Sequence, residues 1–477
     1  MMHDAGGSRP SIVKMLLGYT AMIGVAILVF FWVLQQGIGL TAPPPTGKSL
    51  FDITREPHQI DTLLHVLLAL VVIIIAARLV GVLFRRLGQP PVIGEVIAGI
   101  VLGPSFLGRL SPEASLFLLP PSVAPFLQVI AQVGVILYMF LVGLELNPIH
   151  LQRNPHAMLA ISHMSIIFPF LLGSMLALGL YPLLSTSEVP FPAFALFLGV
   201  SMSITAFPVL ARILTDRRIH TTTLGVMALS CAAIDDVTAW CLLAFVVSVV
   251  QAHNENPIFT VALTVAFIVG MLTVLRPLLV RAAHRLETEP GPISANVLAF
   301  VFVLLLGSAL LTEWIGIHAL FGAFLLGVII PYNSRLAHAL TERLEDLVVV
   351  LFLPAFFAFS GMRTQIQLVS GLEQWLLCGL IILVACVGKF GGSAITARLS
   401  GLSWRSSAAL GVLMNTRGLV ELIVLNIGLD LGVISPTLFA MLVFMALVTT
   451  FATSPILDWL TSHENKTSPL FADPISP

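Results

Sequence analysis

The stretch LGVMALSCAAIDDVTAWCLLAFVVSVV, residues 224–250, contains no charged side chain apart from the adjacent Asp235 and Asp236. As a helix it is long enough to cross a bilayer hydrocarbon core of roughly 30 Å. One carboxylate at that depth costs about 2.5–3.5 kcal/mol on insertion scales, and two neighbouring carboxylates repel each other. The pair therefore indicates a bound cation, proton transfer or a buried basic partner.

The composition of the whole chain is typical of a protein that crosses a membrane many times. Of its 477 residues 57% are hydrophobic and 10% are charged, with a mean hydropathy of +1.01, whereas soluble proteins carry about 25% charged residues. The predicted fold class is an all-α bundle of membrane helices. The sequence contains no Walker A motif, G-x-G-x-x-G motif or metal-ligand cluster. We therefore expect no cofactor, no nucleotide or nucleic-acid partner and no enzymatic activity.

Hydropathy predicts fourteen membrane spans, separated by stretches that contain Pro, Gly and Arg. The first is predicted to be a retained signal anchor rather than a cleaved signal peptide, because no clear A-x-A site precedes the prolines at residues 43–45. The predicted spans cover residues 13–35, 61–83, 91–108, 123–144, 157–180, 191–213, 221–250, 257–281, 293–312, 316–331, 347–368, 374–398, 404–429 and 435–460.

Three regions follow from these spans. An N-terminal span with a Pro-rich external loop covers residues 1–60, a membrane domain covers 61–460, and a short tail covers 461–477. The membrane domain divides into a first half, a linker helix and a second half, at residues 61–250, 257–283 and 293–460.

The positive charges orient the chain. If the N-terminus is cytoplasmic and the spans alternate, seventeen of the 23 Lys and Arg residues fall inside, four fall outside, and Lys389 and Arg417 lie within the membrane. Membrane proteins concentrate Lys and Arg in cytoplasmic loops. We therefore predict an integral protein of the cell (inner) membrane with both termini in the cytoplasm.

Two pairs of similar segments indicate an inverted repeat. AGIVLGP at residues 98–104 is similar to GAFLLGVIIP at 322–331, and FLVGLEL at 140–146 is similar to FAFSGMRT at 357–364. Seven predicted spans separate the members of each pair, and an odd number of spans reverses orientation. Inverted repeats are common in secondary transporters, which place their substrate sites at the repeat interface.

One span in each half is interrupted by polar or helix-breaking residues. The sixth contains SMSITAFPVLA with Pro208 in mid-span, where proline removes a backbone donor and opens the helix near Ile204. The thirteenth contains MNTRGLVEL, in which Asn415, Thr416 and Gly418 compete with or relax a regular helix. Unwound backbone at this depth must line a cavity or be buried in protein. The alternative is a proline kink that serves only packing.

Lys389 lies in the segment CVGKFGG, whose glycines allow another helix to approach closely. A carboxylate partner is expected, and Asp235 or Asp236 is the candidate. A static salt bridge is the alternative. One lysine cannot neutralise two aspartates, so one carboxylate is left for a cation.

Three other charged residues within predicted spans are candidates for a role in the membrane. Arg417 and Glu421 are spaced i, i+4 and are expected to form a structural pair along their own helix. Glu95 lies about one turn inside its span, where it would line an entry funnel or extend to the interface.

These residues resemble a known family. The stretches PPVIGEVIAGIVLGPS, FLVGLEL, SITAFPVLARIL, AAIDDVTAW, GKFGG and NTRGLVELIVLNIG occur in order between about residues 61 and 460. In these motifs the chain resembles monovalent cation:proton antiporters, in the branch of bacterial Na⁺/H⁺ antiporters, potassium-efflux membrane domains and plant cation/H⁺ exchangers.

The resemblance implies a dimeric elevator transporter of thirteen helices, with inverted repeats and two crossing broken helices. The N-terminal span lies outside that pattern. The implied partners are Na⁺ or K⁺, protons, the lipid bilayer and a second copy of the chain. SITAFPVLARIL is closest to the plant exchangers, whose substrates include K⁺, whereas the aspartate pair is closer to the bacterial Na⁺ antiporters. In this family such a pair accompanies electrogenic exchange.

The resemblance also implies roles for individual residues. Asp236 would bind the monovalent metal cation and the proton alternately, and Asp235 would pair with Lys389 until the cation arrives. Neutral oxygen ligands or helix caps would come from Ser203 and Thr205. The broken helices would be supported by Pro208, Asn415, Thr416, Arg417 and Glu421.

Two other classes are possible from the residues alone. An intramembrane aspartyl protease needs two aspartates on separate helices, commonly with a G-x-G-D motif, and the chain has neither arrangement. A cation channel or a transport-dead sensor on the same fold is the remaining alternative. The free carboxylate and Lys389 favour transport over both.

Overall fold

The computed structural model of the protein describes residues 12–37, 39–40, 62–145, 155–217, 219–220, 222–251, 257–288 and 293–461. Within these ranges all regular secondary structure is helical. The predicted Pro-rich loop and C-terminal tail lie outside them. The α-helices of the described residues are α1 (Ile12–Gly37), α2 (Thr62–Arg86), α3 (Pro91–Leu102), α4 (Leu107–Leu110), α5 (Pro112–Leu118), α6 (Ala124–Glu145), α7 (Pro155–Leu184), α8 (Phe191–Ser203), α9 (Phe207–Asp216), α10 (Thr223–Gln251), α11 (Pro257–Gly270), α12 (Arg276–Thr288), α13 (Ala295–Ile315), α14 (Ala319–Ile329), α15 (Arg335–Leu347), α16 (Leu353–Arg363), α17 (Gly371–Leu399), α18 (Trp404–Met414), α19 (Leu419–Asp430) and α20 (Pro436–Thr461).

The helices confirm that this is an integral membrane protein. Eleven of the described helical segments are long and apolar enough to cross a membrane, and α8 and α14 are shorter apolar helices. Each predicted span overlaps a helix or a pair of half-helices. Two predicted spans are continuous only through a π-helical turn, at Met271–Leu275 between α11 and α12 and at Val348–Phe352 between α15 and α16.

The largest departures from the predicted spans are a helix that begins earlier and two short helices. The eleventh span was predicted to begin at residue 347, but its helix begins with α15 at Arg335. This helix is amphipathic: it buries Leu336, Leu340 and Leu344 on one face and carries charged residues elsewhere. The charged residues lower its mean hydropathy, so hydropathy alone does not predict it. The short helices α4 and α5 were not predicted, because each is shorter than a hydropathy window.

The packing of four helices follows the predicted repeat. The segments similar in sequence lie on α3 and α14, and on α6 and α16. In space α3 packs against α16, and α6 packs against α14. Both contacts are glycine-mediated: a Cβ on Gly99 would lie 2.6 Å from Ala358 Cα, and one on Gly143 would lie 2.9 Å from Gly327 Cα. Each repeat thus packs its first helix on the second helix of the other, as a two-fold relation requires.

The two broken helices meet at their breaks. The sixth span opens after Ser203 and resumes at Phe207, and the thirteenth opens after Met414 and resumes at Leu419. The backbone N–H of Ala206 donates to the carbonyl of Thr416 at 3.0 Å. Gly418 permits this approach, because a Cβ there would lie 2.5 Å from Val209. The crossing predicted for the fold is therefore made by backbone contact between the two unwound segments.

Beside this crossing α7 and α17 pack along each other at glycines. A Cβ on Gly388 would lie 2.8 Å from Pro169 Cα, and one on Gly392 would lie 2.5 Å from the carbonyl oxygen of Met164. The segment GKFGG therefore brings Lys389 into the interior, where its side chain is fully buried.

The N-terminal helix α1 packs against α7 and α8. The rings of Phe30 and Phe170 lie 5.6 Å apart, and Gly37 sits against the ring of Phe191. Its remaining surface exposes large apolar side chains, including Leu28, Phe31 and Trp32. This helix is a peripheral addition to the bundle that contains the broken helices.

Candidate functional site

Asp235 is a fully buried carboxylate with a complete set of donors. Its Oδ1 atom accepts from Ser162 Oγ at 2.5 Å. Its Oδ2 atom accepts from Ser165 Oγ at 2.5 Å, Thr205 Oγ1 at 2.7 Å and Lys389 Nζ at 3.1 Å. Three donors thus converge on Oδ2 and one reaches Oδ1, so both oxygens of this carboxylate are hydrogen-bonded.

Asp236 is equally buried but lacks the hydrogen-bond donors that surround Asp235. Neither of its carboxylate oxygens accepts a hydrogen bond from any residue that the structure describes. The backbone N–H of Phe207, at the first residue of α9, faces the carboxylate, but its geometry falls short of an ordinary hydrogen bond. The side chain therefore lies at the break of the sixth span with its charge unsatisfied.

Lys389 links three elements of the site. Its Nζ atom pairs with Asp235 on α10, donates to the backbone carbonyl of Ser165 on α7 at 2.9 Å, and donates to the backbone carbonyl of Ser203 at the end of α8. The sequence allowed either aspartate as the partner of Lys389, and in the structure the partner is Asp235. All three of its donors are used.

Arg417 covers the rest of the α8 terminus. Its guanidinium donates to the carbonyls of Ser201 at 2.9 Å and Met202 at 2.7 Å, and also pairs with Glu421 at 2.8 Å. Cations at a helix C-terminus complement the negative end of its dipole. The carbonyls at the end of a half-helix can serve as ligands of a cation. In this state three carbonyls of the last turn of α8, those of residues 201–203, already accept hydrogen bonds from Arg417 and Lys389.

The second break carries several polar atoms without a partner among the described residues. These are Thr416 Oγ1, Asn415 Oδ1 and Glu421 Oε1. The Asn415 amide nitrogen contacts Cys386 Sγ at 3.5 Å. Thr450 holds the unwound segment, accepting from the backbone N–H of Arg417 at 3.0 Å and donating to its carbonyl at 2.6 Å. Neutral oxygens are therefore available at the crossing.

The residues predicted at the first break have different partners. The Ser203 hydroxyl shares its hydrogen between the carbonyls of Gly199, on its own helix, and Ile166 of α7, so it is bound to backbone. The Thr205 hydroxyl donates to Asp235 and lies 3.3 Å from the carbonyl of Met414. Pro208 lies in the first turn of α9, where the missing N–H costs no helical hydrogen bond.

Glu95 packs against α2, which carries neither break. It is 8% exposed on α3, where its Cγ is close to Gly81 of α2 and its charge is near that of Arg78. The side chain is buried between two helices and does not extend to the surface.

Sequence reasoning missed Ser162 and Ser165. They are spaced i, i+3 on one face of α7, but serines are common in membrane helices and nothing local distinguishes these two. Thr450 was missed for the same reason. Each is defined by contacts with residues at least 33 positions away.

The chain, with its buried aspartate pair beside two crossing broken helices, was compared with known proteins. The profile of the family described as "Sodium/hydrogen exchanger, transmembrane" matches residues 70–461. The chain belongs to this family. Both the fold class and the antiporter resemblance predicted from the motifs are thereby confirmed.

Relatives with curated names include antiporters of different cations. The Na⁺/H⁺ antiporter NhaS4 of Synechocystis sp. is 46% identical over 83% of this chain and 97% of its own length. The cation/H⁺ antiporter 17 of Arabidopsis thaliana is 39% identical over 88% of this chain, and the K⁺/H⁺ antiporter 1 of Saccharomyces cerevisiae is 34% identical over 80%. The chain spans about half the length of the plant and yeast proteins (51% and 45%).

A solved structure has the same fold. The sodium proton antiporter MjNhaP1 of Methanocaldococcus jannaschii superposes with a TM-score of 0.60 at 14% identity, covering 83% of this chain and 96% of that one. At this identity the likeness concerns the fold alone. Together these findings place the chain in the monovalent cation:proton antiporter family.

Proposed function

We propose that the chain exchanges Na⁺ or K⁺ for protons by alternating access, with proton and cation competing for Asp236. The observation that carries the proposal is the contrast within the aspartate pair. Asp235 accepts four hydrogen bonds, whereas the equally buried Asp236 accepts none from the described residues. A buried charge without a partner is costly, and a proton or a cation would remove that cost.

The chemistry of the site suits a small hard cation. Such ions prefer oxygen ligands, which here would come from Asp236 and from neutral oxygens of the breaks. Asn415 and Thr416 each have a side-chain oxygen next to the crossing that has no hydrogen-bond partner among the described residues. Because one carboxylate cannot hold a proton and a cation together, the two occupants exclude each other. Mutual exclusion is what couples their fluxes.

Asp235 and Lys389 would act as a second, coupled pair. Their ion pair lies beside Asp236 on the same helix. We propose that an arriving cation weakens it and that Lys389 then releases Asp235. If Lys389 also exchanges a proton, each cycle moves net charge.

The architecture supports an elevator motion. The helices α7–α10 and α17–α20 would form the moving core, while α2, α3, α6 and α13–α16 would form the scaffold. The moving core would carry both breaks and both aspartates. We further propose a homodimer in the cell (inner) membrane, with both termini cytoplasmic. The membrane domain would extend over residues 61–460, with the linker helix at 257–283 between its halves.

The test is proton movement in proteoliposomes. Purified protein is reconstituted, a proton gradient is imposed, and its dissipation is followed with a pH-sensitive dye on addition of Na⁺, K⁺, Li⁺ or choline. We expect Na⁺ or K⁺, but not choline, to dissipate the gradient. The concentration dependence ranks the cations.

The same vesicles separate the alternatives. A channel would carry cation current without moving protons against their gradient, and a transport-dead sensor would carry neither. Either outcome in protein that remains monodisperse in detergent would overturn the proposal.

A further inference from the structure

We infer that Ser162 and Ser165 of α7 are positioning residues for exchange, and this inference rests on the proposed function of Asp236. Both side chains are fully buried and both hydroxyls donate to Asp235 at 2.5 Å. Neither touches Asp236, so they act through its neighbour.

The two serines are not equivalent. Ser162 is the single described donor to Oδ1 of Asp235. Oδ2 accepts from Ser165, Thr205 and Lys389. Loss of Ser162 leaves Oδ1 without a partner in a buried site, whereas loss of Ser165 leaves Oδ2 with two donors.

Ser165 also holds the partner of the carboxylate. Its backbone carbonyl accepts from Lys389 Nζ at 2.9 Å, while its hydroxyl donates to Asp235. Ser165 of α7 is thus hydrogen-bonded to both members of the ion pair. Adjacent residues on a helix point about 100° apart, so fixing Asp235 against α7 turns Asp236 away toward the break.

This arrangement has a consequence for the transport cycle. When Lys389 withdraws, Asp235 keeps three hydroxyl donors, two on Oδ2 and one on Oδ1. Hydrogen bonds to a carboxylate favour its charged form. The serines therefore keep Asp235 ionised and largely outside the coordination shell of the cation, so that Asp236 alone decides between cation and proton.

Several ionisable groups face this pair. Asp236 and Cys231 lie on its own helix α10, Lys389 on α17, and Arg417 and Glu421 at the second break. On α7 the ring of His163 lies between the two serines in sequence and contacts the carbonyl of Leu159 at 2.7 Å. Of these groups only Lys389 also contacts one of the serine hydroxyls, that of Ser165 at 3.4 Å, so Ser162→Ala is the cleaner of the two variants.

The experiment compares three alanine variants in proteoliposomes. Ser162→Ala and Ser165→Ala remove the two donors. Ser174→Ala is the matched control, because Ser174 is a fully buried serine of the same helix that donates to the carbonyl of Ala195 and does not touch the pair. Ser162→Thr restores the hydroxyl.

We expect Ser162→Ala to move the pH of half-maximal exchange upward by about one unit, since a hydrogen bond to a charged group is worth about one pH unit or more. The apparent KM for the cation at neutral pH should rise severalfold with little change in kcat, because the proton competes more strongly. Ser165→Ala should give the same shift at smaller size. Ser174→Ala should match wild type, and Ser162→Thr should move back toward it.

Profiles of Ser162→Ala and Ser165→Ala that coincide with that of Ser174→Ala would overturn the inference while leaving antiport intact. A uniform fall in kcat without a pH shift would also overturn it, because that is the result of a merely structural role. Absence of exchange in the wild type would instead refute the proposed function. If Ser162→Ala is lost from the monodisperse peak in size-exclusion chromatography, Ser165→Ala and Ser162→Thr decide the matter.

Discussion

Asp235 and Asp236 are neighbours in the chain but differ in their hydrogen-bond partners. Three hydroxyls and one ammonium group surround the first, and neither oxygen of the second accepts a hydrogen bond within the described part of the chain. They are therefore not interchangeable, even though both are completely buried. Conservative substitutions at the two positions should separate their roles.

Asp236→Asn should abolish proton-coupled cation movement. The amide keeps the shape of the side chain but can neither take up a proton nor balance a cation. In everted vesicles or proteoliposomes we expect the exchange signal to fall to that of empty vesicles. Asp458→Asn is the control, because Asp458 pairs with Arg217 in an exposed setting far from the crossing in sequence. Wild-type-like exchange by Asp236→Asn would remove this residue from the site.

The same two positions should affect stability in opposite directions. Asp235→Asn breaks a fully buried ion pair and leaves Lys389 uncompensated, which costs about 3–5 kcal/mol. Asp236→Asn removes a buried carboxylate that has no hydrogen-bond partner among the described residues, so the protein should be as stable as wild type or more stable. Thermal unfolding in detergent measures both, and a lower Tm for Asp236→Asn than for Asp235→Asn would contradict the assignment.

Residue chemistry predicted part of this site. Charge in an apolar stretch is costly, so Asp235, Asp236 and Lys389 could be recognised in the sequence. The hydroxyls of Ser162 and Ser165 could not, because a serine in a membrane helix has no such cost and gains its meaning only from a carboxylate about seventy positions away.

At the scale of helices, the sequence predicted the positions of the breaks but not what closes them. Proline and glycine mark where a helix opens, since they act on the local backbone. The guanidinium of Arg417 on two carbonyls of α8 is a contact between segments more than 200 residues apart. Such a contact depends on how the two halves pack, which periodicity does not encode.

The glycines of the segment GKFGG offer a test of helix packing with an internal control. Gly392→Ala places a Cβ 2.5 Å from the carbonyl oxygen of Met164, so α7 and α17 must separate. We expect a loss of about 1–3 kcal/mol in stability and impaired exchange. Gly391→Ala meets only Phe168, at an ordinary 3.5 Å, and should be tolerated. The Tm values of the two variants check this, and equal values would contradict the packing described here.

At the scale of the whole molecule, a polar cluster joins the proposed core to the proposed scaffold. Arg363 at the end of α16 pairs with Asp430 at 2.6 Å and donates to Asn426 at 3.0 Å, both on α19. The amide of Asn426 in turn donates to Ser360 of α16 at 2.7 Å. If the core moves past the scaffold, these contacts must break.

A disulfide across this cluster should stop exchange. Ser360 and Asn426 are in side-chain contact, so Ser360→Cys combined with Asn426→Cys is expected to cross-link α16 to α19 on oxidation. We expect exchange in proteoliposomes to be lost on oxidation and restored by dithiothreitol. Each single-cysteine variant, oxidised in the same way, controls for the four native cysteines. Undiminished exchange by the cross-linked protein would mean that these helices do not move apart.

The position of α1 has a mechanical consequence. It is attached to α7 and α8, whereas the next helix, α2, packs against α3 and α16. Residues 38–61 therefore connect α1, which packs on the proposed core, to α2 in the proposed scaffold. Their full extension, about 80 Å, exceeds any plausible stroke, but each residue removed shortens the connection. In a series of deletions within this connection, the shortest length that still allows exchange would measure how far the proposed core moves.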